Sequence, residues 1–252
     1  MNLSTRHLLL GLLLLAPAVP LVRAQKTPAS PDPAVVEEMD EYASVQISDP
    51  LEPMNRAIFK FNDRLYTYVL RPISKGYVAV VPAAGRNGIE NFFHNILFPV
   101  RVVNCTLQGK FHRAGQETGK FAVNTVTSLG FLRVSEDIPA LASVPREDTG
   151  QTLAVWHIGQ GPYLVLPLFG PGSVRDTVGM VGDHFLNPLS WDIQQNVEWY
   201  NWKVKTGVTV VNGVQRLPGT LKTYDAVRKD ALDPYIAVRS SYVQYREAAV
   251  NQ

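Results

Sequence analysis

The chain has 252 residues, 24 Lys and Arg against 22 Asp and Glu, and a single cysteine. So even a balance excludes the basic stripe that neutralising nucleic-acid phosphates requires. One thiol, Cys105, excludes an intramolecular disulfide, and stability must rest on packing.

The opening "MNLSTRHLLLGLLLLAPAVPLVRAQ" has the pattern of a secretory signal over residues 1–24. Arg6 and His7 precede an apolar run from Leu8 to Leu15, and Val22-Arg23-Ala24 sets small residues where cleavage would occur. The run is shorter than the roughly 20 residues of a spanning helix, and prolines follow it. Arg6 and Arg23 account for the whole excess of positive charge, so residues 25–252 are neutral. Residues 25–48 carry Pro28, Pro31 and Pro33 and the acids Glu37, Glu38, Asp40 and Glu41; they read as a flexible tether. Residues 49–248 then form one domain with a sizeable core.

In "DPLEPMNRAIFKFNDRLYTYVLRP", Met54, Ile58, Phe61, Leu65 and Tyr68/Val69 recur at spacings of three and four, one apolar face of a helix. Asn55, Arg56, Asn62 and Asp63 lie off that stripe. Pro53 suits the first turn, and Pro72 is expected to stop the helix. A second helix starts near Pro82, with Ile89, Phe92, Phe93, Ile96 and Leu97 on one face; Pro99 must kink or end it. "VRVVNCTLQ" reads as strand by its β-branched residues and as helix by its neighbours, and "ETGKFAVNTVTSLGFL" is equally ambiguous. Ser173 can cap a short helix through Val181, with Asp176 in its first turn. The clearest helix follows Ile193, Val197, Tyr200, Val204, Val208 and Val211, with Pro218 expected to terminate it. A last helix covers "DPYIAVRSSYVQYREAAV". The pattern is mainly α.

Catalytic constellations fail one by one, and no enzymatic activity is expected. "AGQETGKF" has alanine where a phosphate loop needs its first glycine and Phe121 where it needs Ser or Thr. "GQGPYL" has Leu164 at the third glycine of a dinucleotide fingerprint, and Pro162 lacks an N–H. No Gly-x-Ser-x-Gly elbow occurs. His94, His112, His157 and His184 are never three or four apart, so no zinc pattern forms and neither metal nor cofactor is expected.

Three features point instead to lipid. Trp191, Trp199 and Trp202 cluster with Tyr200; such aromatics pack a core or settle at a membrane–water interface. Trp199 and Trp202 lie off the Ile193–Val211 stripe, which gives that helix two apolar faces. Finally, "GQGPYLVLPLFGPG" is apolar from Tyr163 to Phe169, broken only by Pro167. As a strand it tolerates Pro167 only at an edge, and its glycines let the chain bend. It reads as a buried core loop or as an apolar loop that dips into lipid. In lipid it must be paired, because unpaired backbone groups cost several kcal/mol there.

These residues together resemble the MlaA (VacJ) family of outer-membrane phospholipid-transport proteins. "DPLEPMNRAIFKFND" is similar to the family's opening motif, through Asp49, Pro50, Glu52, Asn55, Arg56, Phe59, Phe61 and Asn62. "VPAAGRNGIENFFHNILFPVRVVNCTLQG" resembles its second block, including Asn91, and "FAVNTVTSLGFL" its third. "EDTGQTLAVWHIGQGPYLVLPLFGPGSVRDTVG" is the longest match, ending on Arg175 and Asp176, and "DPYIAVRSSYVQYR" resembles the closing block.

The resemblance implies a single ring-shaped helical domain embedded in one membrane leaflet, the inner leaflet of the outer membrane, with a short apolar hairpin loop. It implies a polar pore that passes mislocalised phospholipid from the outer leaflet to a soluble periplasmic carrier, MlaC-like, in association with a trimeric porin. The hairpin residues Gly159, Gly161, Tyr163, Leu164, Leu166, Phe169 and Gly170 then lie on the lipid path. Asp49, Pro50, Asn55, Arg56, Asn62, Asn91, Arg175 and Asp176 are expected to be structural. One departure stands out: family members carry an acylated cysteine at the start of the mature chain, whereas this signal region has none. The domain itself or another subunit is expected to hold the membrane. A soluble periplasmic lipid-binding module and a porin-associated scaffold are the alternatives.

Overall fold

The computed structural model describes residues 47–142, 144–191, 202–229 and 231–252. The signal, nearly all of the tether, and Ile193, Val197, Trp199 and Tyr200 of the long helical stripe lie outside the described residues.

The domain is mainly α. Helix α1 (Glu52–Leu65) starts with Pro53 in its first turn and Glu52 at its positive end. It does not stop at Pro72. A π-helical turn, Tyr66–Leu70, leads directly into α2 (Arg71–Val80). The Arg71 N–H bonds the Tyr66 carbonyl five residues back, and this shift of register takes up the proline that would otherwise break the ladder. Helix α3 (Ala83–Ile96) ends at the expected proline, which sits in the first turn of α4 (Phe98–Leu107). The ambiguous "VRVVNCTLQ" is therefore helix, and so is its successor α5 (Phe111–Ser128). Leu129 and Gly130 end α5 in the left-handed region, at φ 53° and 86°. A Cβ on Gly130 would meet Asn95 Nδ2 at 2.7 Å, so the stop is specific to glycine.

Helix α6 (Thr149–Val155) has a reciprocal capping box: the Gln151 N–H donates to Asp148 Oδ1 at 2.8 Å, and the Asp148 N–H to Gln151 Oε1 at 3.0 Å. Strands β1 (Tyr163–Leu166) and β2 (Gly170–Ser173) form an antiparallel hairpin pairing Tyr163 with Ser173 and Leu166 with Gly170. Pro167 falls in its turn, where no ladder donor is needed. Ser173 caps α7 (Val174–Leu186) as expected, accepting from the Asp176 N–H, but the helix outlasts Val181. Helix α8 (Trp202–Arg228) contains Pro218 rather than ending at it, and α9 (Pro234–Val250) is capped by Asp233.

Burial runs against the usual pattern. On α1 the buried side chains are Asn55 and Asn62, while Met54, Phe61, Tyr68 and Val69 of the apolar stripe and its continuation are exposed. Among the described residues, more polar or charged side chains than apolar ones are buried, including Arg101, Glu117, Asn104, Glu147, Gln151 and Arg246. Phe111, Val126, Phe131, Phe169, Phe185 and Trp202 stand exposed. The apolar core proper is small: Tyr163, Val165 and Tyr235, flanked by Ile47, Ile58, Phe59, Ile236 and Tyr242. No helix among the described residues is long and apolar enough to cross a membrane.

Candidate functional site

The hairpin is held along its open edge by α1. Asn55 Nδ2 donates to the Tyr163 carbonyl at 3.0 Å, and Asn55 Oδ1 accepts from the Val165 N–H at 2.9 Å. Asn62 repeats this with the Leu166 carbonyl at 2.9 Å and the Leu168 N–H at 2.8 Å. Two carboxamides thus supply the bonds a third strand would have made. Asn55 is anchored by Asp49, whose carboxylate also accepts from Tyr235 Oη and from Arg239 at 2.9 Å. Burial alone would raise the Asp49 pKa, but these partners together outweigh it and hold the carboxyl below its ordinary value. Arg56 ties α1 to the start of α9, bonding Asp233 at 2.9 Å with its guanidinium 4.4 Å from the Tyr235 ring centre.

A second polar knot joins α6, α7 and α9. Arg246 donates to both oxygens of Asp148, at 2.6 and 3.0 Å, and to Asp176 Oδ1 at 3.0 Å. Arg175 and Tyr242 complete the Asp176 shell. Desolvation pushes Asp176 up, yet the Tyr242 hydroxyl and the Arg246 charge lead a set of partners that holds it low. The helices approach so closely here that a Cβ on Gly179 would lie 2.5 Å from the Gly150 nitrogen. Beside the knot, Asp183 accepts from the Thr149 N–H and hydroxyl at 2.9 and 2.7 Å, and Thr152 donates to the buried Asn104 at 2.6 Å.

Through Asp148, the second knot borders an open cavity of about 730 Å³, within the range of roughly 300–1,000 Å³ for ligand-sized clefts. Its wall is drawn from α3 (Glu90, Phe93, His94), α4 (Val100, Arg101), the segment before α6 (Arg146, Glu147, Asp148), α7 (Met180, Asp183, His184), α8 (Asn212, Gln215, Arg216, Thr220) and Tyr245 of α9. Polar residues outnumber apolar ones on the wall, but Phe93, Leu97, Val100 and Met180 form an apolar strip. Burial, followed by the charges of Arg101 and Arg146, holds His94 far below an ordinary imidazole, at about 2, so it is neutral.

The sequence-predicted path residues all fall in or beside the hairpin, but in unlike surroundings. Tyr163 is buried, Leu164 and Leu166 half-buried, and Phe169 exposed at the tip. Gly161 and Gly170 need their positive φ of 69° and 87°, whereas Gly159 has no atom within 4 Å of a notional Cβ and no such φ. Of the expected structural residues, Asp49, Asn55, Asn62, Arg175 and Asp176 belong to the two knots, and Arg56 to the α9 contact. Pro50 is an exposed turn residue, and Asn91 bonds the Phe131 carbonyl at 3.1 Å. None of these residues lines the cavity.

The domain is mainly helical, with an edge-pinned hairpin, buried ionic side chains and many exposed large apolar ones among the described residues. Residues 47–249 match the family model described as MlaA lipoprotein, and the chain belongs to that family. It is 32% identical over 207 residues to the intermembrane phospholipid transport system lipoprotein MlaA of Escherichia coli K12, covering 81% of this chain and 79% of that one. It is 31% identical over 214 residues to an uncharacterized protein of Rickettsia conorii, covering 84% and 81%. A solved structure described as the structural basis for maintenance of bacterial outer membrane lipid asymmetry superposes with a TM-score of 0.67 at 31% identity, covering 81% of this chain and all of that one. The family resemblance and mainly α fold expected from sequence are thereby borne out.

Proposed function

We propose that this chain is the outer-membrane component of an intermembrane phospholipid-transport system, held in one leaflet by its apolar exterior and passing phospholipid through its polar cavity. Inverted burial carries the reading. A side chain such as Phe61 or Phe185, left outside while Asn55 and Glu117 are inside, makes sense when the surroundings are hydrocarbon rather than water. The names of the relatives supply the cargo. A phospholipid head group entering hydrocarbon must give up its water, and a wall bearing Arg146, Asn212, Gln215 and Arg216 replaces that hydration. This needs no enzymatic step: direction comes from whatever removes lipid on the periplasmic side. A soluble carrier and a trimeric porin are the partners this reading calls for, and maintenance of outer-membrane lipid asymmetry is its consequence.

The test is export of the full chain in a Gram-negative host, separation of membranes from periplasm, a high-salt wash, and mass spectrometry of lipid retained in mild detergent. Membrane-bound protein carrying phospholipid supports the reading. Protein recovered in the soluble periplasm with bound lipid would make it a carrier. Soluble protein without lipid would overturn the passage reading and leave a scaffold.

A further inference from the structure

The charges on the cavity wall do not balance locally. Three of the four carboxylates there face a cation: Glu90 with Arg133 at 3.1 Å, Glu147 with Lys110 and Arg113 at 2.7 and 2.9 Å, and Asp148 with Arg246 at 2.6 Å; the fourth, Asp183, is held by the Thr149 N–H and hydroxyl, and burial pushes its pKa up. Arg101 on the same wall is matched by Glu117 at 2.7 Å. That leaves Arg146 and Arg216, which have no carboxylate within ion-pair distance among the described residues. Both side chains line the open cavity and are exposed to solvent there. Burial lowers the pKa of each guanidinium; Arg101 is the next cause at Arg146, and Arg146 the next at Arg216. The two cations therefore share one positive field, which neutral His94 does not add to.

Elsewhere this domain pairs its enclosed arginines with care; Arg101, Arg239 and Arg246 all sit against carboxylates. Two guanidiniums on one cavity wall without a carboxylate at ion-pair distance leave a local positive field that an anion would neutralise. A guanidinium fork matches the paired oxygens of a phosphate, and it does so best where bulk water is excluded.

We propose that Arg146 and Arg216 form a phosphate-binding site on the cavity wall, and that the phosphodiester of a phospholipid head group is held there during passage. The site rests on the lipid-passage reading for its cargo, although phosphate recognition is the chemistry the two residues share with any source of that group. The site selects for a charged head group over an uncharged lipid of the same chain length. Phe93, Leu97, Val100 and Met180 give the upper acyl region an apolar surface on the same wall.

The test uses the full chain in mild detergent with three probes: short-chain phosphatidylglycerol, the matching diacylglycerol, and inorganic phosphate. Phosphatidylglycerol should bind the unmodified chain more tightly than diacylglycerol. Arg146→Gln and Arg216→Gln should each weaken phosphatidylglycerol about tenfold, and the pair on the order of 100-fold, with diacylglycerol unchanged. Arg146→Lys with Arg216→Lys should fall between. Lys75→Gln, at an exposed position on α2, should change nothing. Neither arginine has a side-chain partner among the described residues to orphan, so the folds should survive, and a matched helical melt checks that. Inorganic phosphate that competes at millimolar concentration would show the bare anion to be enough; no competition, with the arginine dependence intact, would show that lipid-borne phosphate is required. Equal phosphatidylglycerol binding by the double variant and the unmodified chain overturns the site but leaves lipid passage standing. Binding of phosphate but of neither lipid keeps the site and overturns passage. No binding of any probe by the unmodified chain overturns both.

Discussion

Asn62 does for Leu166 and Leu168 what Asn55, two helical turns earlier on α1, does for Tyr163 and Val165: each carboxamide donates to a β1 carbonyl and accepts from the N–H two residues further on, Val165 in the strand and Leu168 in the turn. Helix α1 thereby acts as the third strand of the hairpin. The seven-residue spacing places both amides on one helix face, and the alternation of β1 presents its free N–H and C=O groups to that face.

Asn55→Ala should therefore leave a buried N–H and a buried C=O without partners and open a void. The expected cost is about 2–4 kcal/mol. Asn62→Ala, nearer the tip, should cost about half as much. Denaturant titration in detergent measures both. Amide exchange at Val165 separates them, since only the Asn55 variant should release that proton early. Equal exchange in both variants would show that β1 does not depend on α1 at residue 55.

Glycine substitutions should divide sharply by position. A Cβ on Gly179 would lie 2.5 Å from Gly150 N and 2.7 Å from Gly150 Cα, backbone atoms that cannot swing aside. Gly179→Ala should separate α6 from α7, costing more than about 3 kcal/mol or preventing folding. Gly159→Ala meets nothing and strains no dihedral, so it should leave the melting temperature within about 1 °C of the unmodified chain. A large loss at Gly159 would mean that the hairpin approach bends there during function.

Much of this fold is written in local pattern. Pro53 and Ser173 mark helix starts that the structure reproduces, the closing helix lies in "DPYIAVRSSYVQYREAAV" as expected, and the glycine-bracketed apolar run is a hairpin, whereas the helix capped by Asp148 is not among those expected from sequence. Two prolines misled, for opposite reasons. The ladder lengthens by one residue just ahead of Pro72, whereas Pro218 sits inside α8, where Leu221 is the lone buried residue among those described. Which way a stripe faces is a different matter. Periodicity shows that Met54 and Phe61 share a face, not whether water, protein or lipid lies beyond it. The cavity was illegible because its wall is gathered from six separated segments, and Arg146 and Arg216 stand alone in sequence like ordinary surface charges.

Arg246 binds two carboxylates at once, so its loss should be felt as repulsion as well as a missing bond. Arg246→Met should cost about 3–5 kcal/mol at neutral pH. In the unmodified chain Asp176 is held low, so its contribution is present above the unfolded carboxyl value and lost as pH falls through the folded one. In the variant the sign reverses. Stripped of the cation, buried Asp176 should take up a proton more readily than in the unfolded chain, so the stability gap between the two proteins should narrow as pH drops from 7 toward 4.5. A gap that stays constant would show that Arg246 acts through packing rather than charge.

His94 sets the acid limit of the cavity wall. Its folded value of about 2 lies below the unfolded imidazole value of about 6.5, because burial and the charges of Arg101, Arg146, Arg133 and Lys120 disfavour a further proton. Between those two values the unfolded chain binds a proton that the folded chain refuses. Stability is therefore complete above pH 6.5 and should decline below it, by about 1 kcal/mol per pH unit. This decline precedes any loss from Asp49 or Asp176, whose held-low carboxyls matter only below about pH 4. His94→Asn should flatten the curve between pH 6.5 and 4.5 while leaving the steeper fall below pH 4 in place. Thermal unfolding across that range reads the difference directly, and a curve with the same slope in both proteins would place the acid-sensitive group elsewhere.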